Sequence, residues 1–317
     1  MSSAAVILCR GQGAQAVGMG KAWFDASPAA RAIFKQADAA LGDSLGASLT
    51  QLCFSGPAER LNQTDVSQPA IYTCSIACYR ALIERDGPMN VAAVAGLSLG
   101  EYTALHIAGA FEFVDGLELV AQRGRLMQQA AEASMGGMVA LIGADDAQAQ
   151  AVCDAAAQGE ILVCANFNAP GQIVLSGHAS ACERAVAVAS EMGFKATPLT
   201  VAGAFHSPLM QPAADRMADA LCKTTFQLPN MPVWSNVTAK PHPWNEGDPN
   251  GNLEQLKRRL VEQIVCPVRW SQSCQGLASD TRTSAEVPWH ELAPGSVLRG
   301  LMRRIDRNVK VNNHDQP

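Results

Sequence analysis

The stretch Val91-Ala-Ala-Val-Ala-Gly96-Leu-Ser98-Leu-Gly100-Glu-Tyr-Thr-Ala-Leu105 constrains this chain more than any other, because it reads as a buried strand, a tight turn and a helix in direct succession. A strand that bends this sharply into a helix leaves almost no room for a Cβ two residues before or two residues after the tip, and glycine fills both places. Gly96 and Gly100 thereby present Ser98 at a helix N-terminus. There the unpaired N–H groups and the positive end of the helix dipole favour an anion, such as the oxyanion of a tetrahedral intermediate. The apolar residues 91 to 95 and the helix formers from Leu99 to Ala110 supply the two elements that such a turn needs.

The bulk properties bound the rest. A chain of 317 residues has ample material for one large domain or two unequal ones. A net charge of −5 without long basic runs argues against nucleic acid as a partner. The charge is uneven, because residues 240 to 317 carry 11 Lys/Arg against 9 Asp/Glu while the remainder is strongly acidic. The C-terminal part is therefore the expected face for an acidic partner. Ten cysteines with no CxxC pair and no clustered Cys/His spacing read as small buried hydrophobes in a reducing compartment, and no metal site is expected. With no signal-peptide pattern and no apolar run of membrane-spanning length, a cytoplasmic, membrane-free monomer is expected.

Along the chain, an apolar strand at Ala4 to Cys9 runs into the loop Gly11-Gln12-Gly13-Ala14-Gln15. Helical patterns follow at 28 to 41, at 68 to 86 with Ser67 as N-cap and Pro69 in the first turn, and at 115 to 131. Beyond residue 203, helices at 209–223, 253–263, 271–278 and 295–307 alternate with strands at 232–236 and 286–291. Strands alternating with helices imply a mostly parallel sheet covered on both faces.

Between these halves the rhythm changes. A strand at 138–142, a helix at 147–157, a strand at 161–165, the turn-rich Asn166 to Gly171, a strand at 173–176, a helix at 179–192 and a strand at 196–201 make a ferredoxin-like unit. The expected fold is α/β. A large, α/β-hydrolase-like domain (residues 1–133 and 203–317) carries an inserted ferredoxin-like subdomain (134–202), entered through a flexible Met135-Gly136-Gly137, with the active site in the cleft between them.

A serine hydroxyl needs a base within hydrogen-bond reach, and histidine is the usual one. Of six histidines, His314 reads as part of a polar tail, His242 sits among prolines, His178 belongs to the inserted unit, and His106 faces away from the serine turn. His206, in Gly203-Ala-Phe-His206-Ser-Pro-Leu-Met, lies where the inserted unit rejoins the large domain. On the 115–131 helix, 100° steps collect Glu118, Gln122, Arg125 and Gln129 on a polar face and leave Arg123 inside the apolar arc. A guanidinium turned toward the core must meet an anion or a set of acceptors. The partner is either a structural carboxylate, such as Glu101 or Asp115, or the carboxylate of a substrate gripped in bidentate fashion.

GLSLGEYTAL, the GQGAQ loop, QRGRLMQ, NFNAPGQIVLSGH, GAFHSPLM and VEQIVCPVRW run collinearly over about residues 5 to 308. Together they resemble the malonyl-CoA:acyl carrier protein transacylase family of bacterial type II fatty-acid synthesis. The resemblance implies a ping-pong transfer from malonyl-CoA, a substrate rather than a cofactor, to the phosphopantetheine thiol of acyl carrier protein, with no cofactor and no metal. It implies Ser98 as nucleophile, His206 as base, the Gln12 and Leu99 N–H groups as oxyanion hole, and Arg123 as the partner of the malonyl carboxylate. It further implies that the Gln263 backbone carbonyl orients the histidine in place of an acid. Phe205 resembles the malonyl-selective form of its segment, in which a bulky ring leaves little space for an α-methyl branch.

Three positions depart from the family's pattern. Leu97 stands where a histidine usually precedes the serine, Cys9-Arg10 precede Gly11 where the loop usually reads FPGQG, and Ala293-Pro294-Gly295 replaces Gly-Pro-Gly. A serine hydrolase or thioesterase would use the same GxSxG and histidine, but has no need of an inward arginine. An acyltransferase of a polyketide pathway stays open as a second reading, and a non-catalytic carrier-binding protein is disfavoured because every catalytic position is filled. For an acidic carrier, Lys257-Arg258-Arg259 and Arg303-Arg304 with Arg307 are the candidate basic patches.

Overall fold

The computed structural model describes residues 4–244, 246–283 and 287–317. Nine strands among them run in chain order as β1 (Ala4–Cys9), β2 (Asn90–Gly96), β3 (Gly136–Ile142), β4 (Leu162–Ala169), β5 (Gln172–His178), β6 (Lys195–Pro198), β7 (Val233–Trp234), β8 (Trp289–Leu292) and β9 (Val311–His314). Five form a parallel sheet in the order β7-β2-β1-β8-β9. Helices cover both faces, and β1 shows why its residues are apolar without interruption. Ile7 and Cys9 enter the core that holds Ile71, Tyr72 and Leu105, while Val6 and Leu8 enter the one that holds Trp234, Trp270 and Trp289. The strand order reverses about β1, the place at which an open parallel sheet leaves a crevice beyond its carboxyl ends.

The other four strands pair antiparallel in the order β4-β5-β3-β6, and the helices Asp146–Ala157 and Ala179–Glu191 pack on them. This is the expected strand-helix-strand-strand-helix-strand succession. Val139, Leu141, Val152, Leu175 and Ala185 belong to its own apolar cluster.

Several local expectations are corrected. The helix expected to start behind Ser67 begins at Thr64, Gln63 is its N-cap, and Ser67 and Pro69 lie buried inside it. Its first turn is satisfied from afar, since Gln128 Oε1 accepts from the Thr64 N–H at 3.1 Å. Asn166 to Ala169 are strand rather than turn. Phe167 N donates to Val268 O at 2.9 Å, so a distant backbone supplies the pairing that local sequence does not advertise. Gly136 and Gly137 open β3 instead of forming a flexible entry, and a Cβ on Gly136 would come within 2.7 Å of the Ala204 Cβ.

His314 is not in a loose tail but in the edge strand β9, its ring stacked on His290 at 5.1 Å between centroids. The strand expected from 286 runs from Trp289 to Leu292, and Glu286 lies outside the described residues. Short helices at Lys21–Ala26, Leu49–Ser55 and Ala58–Leu61 add to those the sequence predicts. No helix among the described residues is long and apolar enough to cross a membrane.

Candidate active site

The turn after β2 is as tight as its glycines imply. A Cβ on Gly96 would collide with the Gly100 carbonyl, and one on Gly100 with the Cys9 carbonyl oxygen. Ser98 at the tip has φ 52°, a left-handed conformation that costs a non-glycine residue about 1–3 kcal/mol and persists only where the surroundings over-determine it. They do so here. The Ser98 N–H donates to Asn236 Oδ1 at 2.6 Å, Asn236 Nδ2 donates to Gly96 O at 2.6 Å, and Gln263 Nε2 donates to Ser98 O at 3.0 Å. Asn236 stands just beyond β7, so the carboxyl ends of neighbouring strands hold the serine from two sides.

His206 also has positive φ, 56°, and is 4% exposed. Its Nε2 lies 2.9 Å from Ser98 Oγ and its Nδ1 lies 2.7 Å from the Gln263 carbonyl oxygen. A carbonyl only accepts, so Nδ1 carries the proton and Nε2 turns its lone pair to the serine hydroxyl. Burial, with the Arg123 charge adding to it, pushes the His206 pKa down to about 4 against the opposing pull of the Gln263 carbonyl. The ring is therefore neutral at neutral pH, the state a base requires.

Arg123 lies on the Phe113–Ala133 helix, 1% exposed. Its Nη1 donates to Gln68 Oε1 at 2.6 Å, and its Nη2 to Ser98 Oγ at 3.1 Å and Gln263 Oε1 at 2.9 Å. The Tyr102 ring lies 5.6 Å from its Cζ. Its Nε has no partner among the described residues, and neither Glu101 nor Asp115 bonds to it. Glu101 is committed elsewhere. One oxygen accepts from His242 Nε2 at 2.8 Å, the other from Gln263 Nε2 at 2.6 Å and from the Asn236 N–H at 3.1 Å. Burial lowers the Arg123 pKa, with Tyr102 and then Glu101 opposing it, and a guanidinium does not give up its proton in a protein, so a positive charge with no directly bonded carboxylate sits beside the serine.

The Leu99 and Gln12 N–H groups have no backbone or side-chain acceptor among the described residues. Both residues line a cleft of about 640 Å³ with Leu97, Ser98, Arg123, Phe205 and His206, and Met138, Asn166 and Val174 of the antiparallel sheet close its other side. The remaining histidines lie apart from it. His106 Nδ1 faces Phe111 O, His178 Nδ1 accepts from the Ile161 N–H, and His290 pairs with His314. All the residues singled out around the serine thus converge. Sequence reasoning missed Asn236, Gln68 and the Glu101–His242 pair, and only the polar Ser235-Asn236 directly behind an apolar strand could have hinted at the first. No group of three or more His, Cys, Asp or Glu placed to hold a metal occurs among the described residues.

Comparison with known proteins identifies the family. A family model described as "Acyl transferase domain" matches residues 6–312. The malonyl CoA-acyl carrier protein transacylase of Escherichia coli (strain K12) is 41% identical over 308 residues, 97% of this chain and 94% of that protein. The crystal structure of a malonyl-CoA:acyl carrier protein transacylase from Xanthomonas oryzae superposes with a TM-score of 0.90 at 37% identity, covering 100% of this chain and 96% of that one. A type II PKS acyl-carrier protein in complex with its malonyl-transacylase gives a TM-score of 0.90 at 35% identity, covering 99% of this chain and 97% of that one. With a serine elbow, a carbonyl-oriented histidine and a buried arginine in one cleft, the chain belongs to the acyl transferase family and, within it, to the malonyl CoA-acyl carrier protein transacylases.

Proposed function

We propose that this protein transfers the malonyl group of malonyl-CoA to the phosphopantetheine thiol of acyl carrier protein in two half-reactions through a malonyl-Ser98 intermediate. The observation that carries this reading is Arg123, a buried cation 3.1 Å from Ser98 Oγ whose partners are all neutral. A substrate carboxylate arriving there completes an ion pair that the fold leaves open.

In the first half-reaction Ser98 Oγ gives its proton to His206 Nε2 and attacks the thioester carbonyl. The developing oxyanion meets the N–H groups of Leu99 and Gln12, each such donor contributing a factor of about 10² to 10³. As the tetrahedral intermediate collapses, the C–S bond breaks and the CoA sulfur takes the proton from His206. The carrier thiol then reverses these steps and leaves Ser98 free. One thioester replaces another, so atoms and protons balance without a cofactor or an energy source. A hydrolase reading gains nothing from a cation held open in this way.

Leu97 and Phe205 line the cleft beside Ser98, and a Phe205 ring facing the acyl group would disfavour an α-methyl branch. For the carrier, the helix Val297–Ile305 is the better of the two basic candidates. Val297 and Leu301 line the cleft, and Arg303, Arg304 and Arg307 are exposed. In the other patch Lys257 donates to Thr224 O and Arg259 to Pro241 O.

The test is to incubate the protein separately with malonyl-, methylmalonyl- and acetyl-CoA, record the intact mass, and then add carrier protein. A malonyl adduct that carrier protein removes is expected. Absence of any adduct, or its loss to water as fast as to the carrier, would overturn the reading.

A further inference from the structure

Arg10 is a second buried arginine, and its place in the fold differs from that of Arg123. It follows β1 directly and opens the loop that carries Gln12, where the family's FPGQG pattern has a proline whose ring stiffens the backbone. Here the position is 3% exposed and Nη1 lies 3.4 Å from Glu291 Oε1, a carboxylate with no exposure at all. Burial lowers the Arg10 pKa, with Glu291 and then Asp315 opposing it.

Glu291 is more than a counter-ion. It lies on β8, opposite Leu8 in the β1–β8 register. Its Oε1 accepts from the Leu298 N–H at 2.8 Å, and its Oε2 accepts from the Arg299 N–H at 3.0 Å and from Asn313 Nδ2 at 3.2 Å. The carboxylate thus joins the first turn of the Val297–Ile305 helix, the edge strand β9 and Arg10. On the other side of the loop, a Cβ on Gly11 would come within 2.5 Å of the Leu97 carbonyl oxygen and 2.8 Å of Leu97 Cδ2. Gly11 is therefore packed directly against Leu97, and the residue before it is tied through its side chain to Glu291.

We propose that Arg10 is a positioning residue: its ion pair with Glu291 holds the Gln12 N–H in place as an oxyanion donor, doing with charge what the family's proline does with a ring. This rests on the assignment of Gln12 in the proposed reaction. A donor held to a fraction of an ångström matters in the transition state and hardly at all in the ground state. Loss of the anchor therefore lowers the rate of Ser98 acylation and leaves substrate binding in place. Arg10→Met is the informative variant, because it keeps the length of the side chain while Glu291 retains three other donors.

Single-turnover acylation by malonyl-CoA, normalised to folded protein, is the readout. For Arg10→Met the maximal rate should fall roughly 10- to 100-fold with half-saturating malonyl-CoA within about twofold of wild type, while Arg10→Lys stays within about threefold. A maximal rate for Arg10→Met within about twofold of wild type, or a rise in half-saturation alone, would overturn the proposal. Should Arg10→Met fail to fold, Glu291→Gln, which removes the charge and keeps the shape, must show the same loss of rate, and an unchanged rate there overturns it equally. Wild-type protein that is never malonylated would instead sink the proposed reaction itself.

Discussion

Two buried arginines belong to the segments around the serine turn, and their charges are satisfied in opposite ways. Arg10 meets the Glu291 carboxylate, which is itself tied to a helix N-terminus, so that charge is balanced within the fold. Arg123 bonds to Gln68, Gln263 and Ser98 Oγ, all neutral, lies over the Tyr102 ring, and is reached by the Glu101 carboxylate only through Gln263. Removing a cation from water costs several kcal/mol even after the surroundings relax, and an internal anion offsets much of that cost. The fold offsets it at Arg10 and leaves it largely standing at Arg123. In the proposed reaction, the charge with its counter-ion built in fixes backbone, and the one bonded only to neutral groups is where the charge of the substrate would come.

The widest test of this contrast is whether both groups serve one nucleophile. Ser98→Ala should abolish the malonyl adduct on intact mass and lower transfer by about 10⁴-fold or more, since removal of a nucleophile leaves only binding and oxyanion stabilisation. An adduct retained in Ser98→Ala would place the chemistry elsewhere and end the comparison. Next in size is Arg123→Ala. Breaking a desolvated charge pair from one side costs about 2–5 kcal/mol, so malonyl transfer should drop by roughly 30- to 5,000-fold while acetyl transfer is kept or gained. Equal losses for both acyl groups would make Arg123 a structural cation like Arg10.

A smaller effect separates the two arginines through His206. Burial, and after it the Arg123 charge, lowers the histidine to about 4, and Arg10 is not among the causes. The base is active when neutral, so kcat/KM, which reports free enzyme, should fall on the acid side through an apparent pKa well below the ordinary 6.5. Arg123→Ala, measured with acetyl-CoA, should move that limb upward, and Arg10→Met should leave it in place. If, as proposed, a bound malonyl carboxylate pairs with Arg123, the limb of kcat should lie above that of kcat/KM for malonyl-CoA and not for acetyl-CoA. Stability follows the same sign. His206 is held neutral in the fold, so its contribution is complete above 6.5 and is lost as the pH falls from 6.5 through 4. An acid limb at 6.5 in wild-type protein would show that the histidine is not held in the dry, positive surroundings described.

The difference between the arginines also marks how far the sequence could be read. Ser98, Gly96 and Gly100 were legible because the constraint is local, with each glycine answering to backbone only a few residues away or at the end of the adjoining strand. Arg123 was legible as inward because helical periodicity places it in an apolar arc, but its lack of a carboxylate was not. Glu101, one of the expected partners, is taken up by His242, Gln263 and Asn236 from other elements. Gln263 acts on His206 through a backbone carbonyl, which every residue possesses, so only the family resemblance singled it out. The alternating rhythm of residues 138–201 made the antiparallel sheet readable. The polar Val311 to His314 hid a strand because its pairing comes wholly from β8. Arg10 stood out only as a departure from FPGQG, and its partner lies 281 residues away.

Exposed arginines form a third group and should matter least. On the Val297–Ile305 helix, Leu298, Leu301 and Met302 face the core, Val297 is 51% exposed, and Arg303 and Arg304 point outward close to the cleft-lining Val297 and Leu301. None of Arg303, Arg304 and Arg307 is in an ion pair among the described residues. Solvated charges act at a distance that salt shortens to about 8–10 Å, so they steer encounter more than they hold a complex. Replacing Arg303 and Arg304 by Glu should raise the KM for carrier protein by roughly 3- to 10-fold at low salt, with the difference shrinking as salt is added. The rate of Ser98 acylation by malonyl-CoA should not change, because neither residue reaches the serine. The same reversal at Lys257 and Arg258 should do less, since Lys257 already donates to Thr224 O and lies over the Phe226 ring. A larger effect at that second patch, or a salt-independent one at the first, would move the carrier to the other face and leave the Val297–Ile305 helix with its cleft-lining role alone.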